Sequence, residues 1–243
     1  MNHIEIDYEI ITQSAFFIGS GLGIAGYVDR SCLKDSKGFI YFPGATLKGK
    51  ARYFCRQLLN LPTFQTSIPV CSTIANPEIC KTEKPCLICR LFGSSFTEGA
   101  LHFHDVILKE EYKDIFEKRN VLDMSYQTSF RTNNKINRYT KIAEKGHLFI
   151  TEISEKDFIF DGKIIADTEL VQSEFGNPPV ELLLIVSGLK LINHLGGQTS
   201  RGLGNCKINV SNIIVDNKNY NIKNILNVDW IAEWEIMSKE NKI

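Results

Sequence analysis

Ile4, Ile6, Tyr8 and Ile10 alternate with polar residues, the period of a β-strand that lays one face on a core and turns the other to water. A chain that opens this way must supply pairing partners for the strand and a layer to cover its apolar face. Both are offered downstream. After a glycine-rich stretch at 19–26 and the run FIYFPG at 39–44, residues 45–59 have helical spacing. Leu47, Ala51, Phe54 and Leu58 form an inward stripe, Thr46 is placed to cap the first turn, and Lys48, Lys50, Arg52 and Arg56 make a basic face. Residues 100–108 alternate as a strand, and residues 147–153 do so again. Pro179 before it and Gly196 after it bracket an apolar run that reads as one buried helix. Residues 206–215 form a closing strand. Trp230 and Trp234, spaced i and i+4, suit packing on a C-terminal helix.

The order strand, helix, strand, strand, helix, strand is that of a ferredoxin-like, or RRM-like, α+β fold. On this reading residues 1–61, 100–108 and 146–243 make the core. Residues 62–99 and 109–145 are insertions, the first without helical or strand periodicity and the second charged and rich in Asn.

At 243 residues the chain can bury one substantial core. No run approaches the roughly 20 apolar residues that span a bilayer, and the N-terminus alternates where a signal peptide would be unbroken, so a cytoplasmic protein is expected. The formal net charge is zero, which excludes a simple polyanion binder but not one with separated faces. Lys48 to Arg56 is one basic group and Arg131, Lys135, Arg138, Lys141 and Lys145 another, whereas the stretch from Glu152 to Glu181 is acidic. Opposed faces reconcile neutrality with nucleic-acid binding and would let copies stack head to tail.

Of seven cysteines, Cys71, Cys80, Cys86 and Cys89 crowd into nineteen residues. CLIC at 86–89 has the spacing of a metal knuckle, and an insertion too poor in apolar residues to order itself is a natural place for a structural zinc. His102 and His104 are possible substitute ligands that read more simply as strand residues. Cys32, Cys55 and Cys206 have no partner in sequence, and core packing suffices for each.

Three other stretches carry the chemistry. In FPGATLKGKAR at 42–52, a glycine turn feeds a helix N-terminus followed by Lys48, Lys50 and Arg52, which together read as a phosphate grip. GGQTSRGLG at 196–204 follows the buried helix. Gly196, Gly197, Gly202 and Gly204 with Arg201 could lay backbone against a sugar-phosphate chain, although Gly196 also suits a helix C-cap. RTNNKINRYT at 131–140 supplies Arg131, Asn134, Arg138 and Tyr139, an inventory for touching phosphates and stacking on exposed bases.

These stretches in this order, with GYVDR at 26–30, GHLF at 146–149 and a cysteine insertion between the first and second, resemble the RAMP backbone subunits of type III CRISPR effectors. The resemblance implies guide RNA, paired target RNA and other effector subunits as partners, with neighbouring RAMP subunits in a filament. It also implies that the 109–145 insertion is a thumb-like hairpin inserting into the guide–target duplex. In that family an aspartate in the loop after the first strand, following a GGxD-like turn, promotes target cleavage. Here AGYVD at 25–29 offers Asp29, with Asp35 in LKDSKG as its rival. An isolated carboxylate is a weak base for a ribose hydroxyl, so cleavage would need a divalent cation such as magnesium. A catalytically silent scaffold of the same complex is the alternative. A guide-processing RAMP endonuclease is disfavoured because no histidine occurs between His3 and His102.

Overall fold

The computed structural model describes residues 2–61, 71, 80, 85–118, 126–168, 170 and 179–220. The helix expected at Trp230 and Trp234 lies outside them. β1 (Asn2–Thr12) is central because both of its edges are used. It pairs antiparallel with β7 (Ile159–Thr168) on one side, Ile6 opposite Ile164, and with β8 (Cys206–Val215) on the other, Ile6 opposite Ile213. β2 (Tyr41–Phe42), β3 (Leu101–Phe103), β4 (Val106–Leu108) and β9 (Lys218–Asn219) complete a seven-stranded sheet in the order β2-β4-β7-β1-β8-β9, with β3 also on β7. The described architecture is mixed α/β with antiparallel sheets.

Alternate residues of β1 are buried, among them Ile4, Ile6, Tyr8 and Ile10, while Glu5, Asp7 and Glu9 face the other way. Two helices share the core with that apolar face. α1 (Gly44–Leu59) buries Leu47, Ala51, Cys55 and Leu59, a stripe rotated from the expected one, so that Phe54 and Leu58 are only half-buried at its margin. α4 (Val180–Lys190) is apolar nearly all round and correspondingly buried, as a core helix should be. Gly188 lets the two helices approach, because a Cβ there would collide with the Cys55 sulfur.

Several local expectations are corrected. Thr46 does not cap α1; the N-cap is Pro43, and the N–H of Gly44 donates to Asp105 Oδ1 at 2.8 Å, so a carboxylate distant in sequence replaces the local hydroxyl. Asp105 can reach because residues 100–108 are two short strands broken at His104 and Asp105, not one. The buried helix stops at Lys190 with Leu191 as its C-cap, five residues before Gly196. Within the cysteine insertion, residues 87–92 form the short helix α2 (Leu87–Phe92). After α3 (Glu110–Lys118), the strand expected at 147–153 belongs to β6 (Ala143–Ser154), which pairs with β5 (Thr128–Ile136) in a separate two-stranded sheet; the main sheet takes β7. The acidic stretch is not a continuous face either, because both its ends are interior. Glu152 is ion-paired with Lys34 at 2.6 Å, and Glu181 with Arg90.

Candidate functional site

The segment following β1, residues 13–32, runs as a strap between the glycine loop and the hairpin and is bonded to both through main chain. On one side, the N–H groups of Gln13 and Ser14 donate to the Asn205 carbonyl, that of Gly204 to Ala15 O at 2.7 Å, and that of Gly197 to Phe17 O at 2.7 Å. Gly196 has φ +87° against the Phe17 carbonyl, where any Cβ would collide, and Gly204 has φ +82° against Leu195 O with the same consequence. Those two glycines are therefore demanded by the chain's own packing. Between them Thr199–Arg201 form a 3₁₀ turn, which leaves Arg201 and Gly202 exposed at its end.

On its other side the strap meets β6. Phe16 N–H donates to Ser154 Oγ at 2.7 Å, and Ser154 N–H returns to Phe16 O at 2.9 Å. Further along, the N–H groups of Asp29 and Arg30 donate to Ile150 O, and Glu152 N–H donates to Arg30 O at 2.9 Å. The Asp29 side chain joins in, accepting the Ile150 N–H on Oδ2 at 2.7 Å. Arg30 lies over the Phe149 ring, 5.1 Å from its centroid, and Tyr27 meets Phe130 edge-on at 5.2 Å. Asp29 is thus exposed at the foot of the hairpin, at the end of a tight turn closed by Ile24 and Val28. Asp35 is instead consumed by its own turn, its Oδ1 accepting the N–H groups of Lys37 and Phe39, both at 2.9 Å.

Beneath this foot lies Glu152, buried and accepting from Thr128 Oγ1 at 2.7 Å, Cys32 N at 2.9 Å and Lys34 Nζ. Burial alone would push its carboxyl up, but these donors hold it below the ordinary carboxylate range. Glu152, Ser154 and Asp105 were missed by sequence reasoning, and no spacing signal could have found them, because their partners lie 24 to 138 residues away.

The hairpin carries Arg131, Asn134, Arg138 and Tyr139 into solvent, Tyr139 with 95% of its surface exposed. Lys135 is paired with Glu144 at 2.7 Å. The tip is shaped by Asn137, whose Oδ1 accepts the N–H groups of Tyr139 and Thr140.

The basic helix is built differently from the expected grip. Asp105 already places a carboxylate at the N-terminus of α1, and Lys48 Nζ donates to Leu101 O at 2.8 Å, with burial lowering its pKa. Arg52 lines a cavity of about 630 Å³ beside the cysteines, together with residues 92–99. Lys50 lies near enough to influence Cys206, at the start of β8.

Cys71, Cys80, Cys86 and Cys89 converge, all four sulfurs lying within 4.8 Å of one another. Cys71 and Cys89 are 3.3 Å apart, Cys80 and Cys86 3.5 Å, and Cys86 and Cys71 3.6 Å. Four thiols drawn together with none in a disulfide suit a tetrahedral, thiophilic ion such as zinc. Burial pushes Cys71 up to about 11 and Cys89 up as well, whereas Cys86, against the same burial, is held down to about 7 by N–H groups of Cys71 and Cys89. His102 and His104 are not part of the cluster. Cys32, Cys55 and Cys206 are separate buried thiols, each pushed up to about 12 chiefly by burial.

A family model described as the RAMP superfamily matches residues 9–207. No curated protein matches the sequence. A chain of the structure described as Type III-B Cmr-beta bound to cognate target RNA superposes with a TM-score of 0.57, at 12% identity, over 85% of this chain and 96% of that one. A chain of Type III-B Cmr-beta in the apo state superposes at 0.55 with the same identity and coverage. At this identity the likeness is one of fold.

Proposed function

The chain belongs to the RAMP superfamily, and from that premise we propose that it is a guide-RNA-binding backbone subunit of a type III CRISPR effector that contributes cleavage of the paired target RNA at Asp29. The observation carrying this reading is the strap: it brings the glycine loop, the AGYVD turn and the foot of the hairpin into one hydrogen-bonded unit. The neighbour bound to cognate target RNA supports the same assignment. So does the sheet order β4-β7-β1-β8 with two helices on the core face, which we read as ferredoxin-like. The hairpin is then the thumb and the 62–99 insertion a zinc module.

On this reading Lys50, Arg201 and Gly202 follow the guide backbone, while Arg131, Asn134, Arg138 and Tyr139 act where the duplex is splayed. Cleavage would proceed by the target's own 2′-oxygen, its proton passing to water, attacking the adjacent phosphorus as the bond to the 5′-oxygen breaks and that oxygen takes a proton from water, with alignment contributing to the acceleration. Asp29 lies beside that path. Among the described residues no second group of metal-ligating side chains converges there, so no step is assigned to a protein-held magnesium. A silent scaffold is the second reading, favoured by one observation: Asp29 Oδ2 is already engaged by the Ile150 N–H.

Reconstituted complexes carrying Asp29→Ala or Asp35→Ala decide between them when cleavage and target affinity are measured separately. We expect Asp29→Ala to abolish the cut facing this subunit at unchanged affinity. Loss only in Asp35→Ala would move the site, and loss in neither would leave a scaffold. The cysteine group is proposed to hold one structural zinc, and elemental analysis of carefully purified protein should find one zinc per chain, falling together with folded content on chelation.

A further inference from the structure

Acidic residues are absent from two long stretches of the chain, 36–77 and 182–215, although 28 occur in all. The fold brings parts of these stretches together. α1 and α4 pack antiparallel, Cys55 Sγ lying against Leu184 O while Gly188 faces Ala51 and Cys55, so the first half of α1 lies beside the end of α4. Asn193 O accepts the Cys206 N–H at 3.0 Å, which returns the start of β8 to the same place, and Lys50 is near enough to Cys206 to act on its thiol. Lys50, Lys190 and Lys207 therefore gather at one end of the helix pair, beside the glycine loop that carries Arg201.

Among the described residues, Lys50, Lys190, Arg201 and Lys207 form no ion pair. β9 pairs only with Ile214 and Val215, so the edge of β8 is open at Lys207 among those residues, and Lys207 adds to burial in lowering the pKa of Lys190. The acids that reach α1 meet it elsewhere, Asp105 at Gly44 and Glu98 near Lys48. Gly49 is an independent sign. It is exposed in the body of α1, and a Cβ there would touch nothing. Glycine weakens a helix interior, and no contact among the described residues requires this one, so bare backbone beside Lys50 suits a ligand that approaches the helix closely. The loop supplies a second sign: the carboxamide of Gln198, which precedes Thr199–Arg201, is buried at both its nitrogen and its oxygen without a hydrogen-bond partner, so the loop's hydrogen bonds are incomplete in the free chain.

We propose that Lys190 and Lys207 join Lys50 and Arg201 in a phosphate track, on which a single-stranded RNA backbone leaves the glycine loop, crosses the end of the helix pair and passes over Gly49. This rests on the RNA-binding reading above and extends it to two residues outside the three stretches that carry the family resemblance. A phosphate chain fits better than a protein face. Lysine is depleted from protein interfaces, and Leu191 is the one large apolar side chain exposed between residues 180 and 215, whereas a run of phosphates meets spaced ammonium groups without apolar cover. The carbonyl end of α4 would repel phosphate by its dipole, and Lys190, in the last turn, offsets that repulsion.

The test is fluorescence anisotropy of the purified chain with a fluorescein-labelled oligouridylate of about 12 nucleotides, read across a range of salt. Lys190→Gln and Lys207→Gln should each weaken binding about threefold at low salt and lower the slope of log affinity against log salt by about 0.7, and the double variant by about tenfold and about 1.4. Lys190→Arg and Lys207→Arg should stay within about twofold of wild type, because they keep the charge. Gly49→Leu should raise the thermal midpoint, leucine being the better helix former, and still weaken binding about fivefold; unchanged binding in it would overturn the passage over α1. Binding weakened in Lys50→Gln and Arg201→Gln but unchanged in Lys190→Gln and Lys207→Gln would overturn the track and leave the RNA-binding reading standing, whereas wild-type affinity in all four, or no saturable binding by the wild type, would sink both. Poly-glutamate bound more tightly than the oligouridylate at equal salt, and released in the double variant, would assign this surface to an acidic polypeptide instead.

Discussion

The seven-stranded sheet and the two-stranded hairpin are both antiparallel, yet different forces hold them. β1 lays four large side chains, Ile4, Ile6, Tyr8 and Ile10, against α1 and α4, and each is at most 1% exposed. The hairpin buries almost nothing along its length. Only its foot is interior, and there the buried residues are polar: Gln127, Thr128, Thr151, Glu152 and Ser154. A lone two-stranded ribbon is marginal in water, so this one persists because its foot is tied to the strap and to Lys34. Sheet stability is spread over many contacts, whereas hairpin stability is concentrated in a few hydrogen bonds around one carboxylate. A ribbon exposed along most of its length cannot be held by burial.

If that division is right, the largest loss belongs to the sheet. Leu184→Ala, in the centre of α4 and fully buried, should cost about 3–4 kcal/mol in global unfolding measured by denaturant titration. The hairpin and sheet should still unfold in one transition. A loss confined to α4 with the sheet intact would show that the core is less unified than its packing suggests.

Next in size is Glu152→Ala, which strands Lys34 and removes the acceptor shared by Thr128 and Cys32. Breaking one side of a buried pair costs about 3 kcal/mol, and the effect should appear first as faster amide exchange in residues 128–154, ahead of β1. Acid should do the same. The folded carboxyl is held below its ordinary value of 4.5, so its contribution is present above that value and is lost as pH falls through the lower, folded one. Hairpin protection should therefore decline below about pH 4.5, and Glu152→Gln should remove that dependence. Equal loosening of β1 and β6 in either experiment would erase the distinction between the two regions.

How much of this could be read from sequence follows the same line. β1 and β8 announced themselves because one face of each is apolar, and α4 because it is apolar nearly all round. β7 did not, since its inward residues include Gly162, Ala166 and Thr168 and its outward ones include Ile159 and Ile165, which dilutes the alternation. β5 is exposed along most of its length and has no period to read, so the hairpin was legible only through family resemblance. The cysteine group was legible by crowding. The ties that place the candidate site were not, because Glu152 binding Lys34 spans 118 residues, and an acidic letter does not say whether its side chain is buried.

The smallest expected change in stability is at Asp29, and it is the one that separates strut from catalyst. Its carboxylate makes one exposed hydrogen bond, to the Ile150 N–H, worth about 1 kcal/mol. Asp29→Asn keeps an oxygen that can accept that N–H but removes the charge, whereas Asp29→Ala removes both. Exchange at the Ile150 amide should accordingly stay near wild type in Asp29→Asn and rise several-fold in Asp29→Ala. Cleavage by the assembled complex should be lost in both if the negative charge acts on the RNA. Cleavage retained in Asp29→Asn and lost in Asp29→Ala would track the hydrogen bond instead, and Asp29 would then be a strut that holds the strap to the hairpin while the chemistry lies elsewhere. Because the Asn variant leaves the foot of the hairpin pinned, loss of cleavage in it could not be blamed on a displaced hairpin.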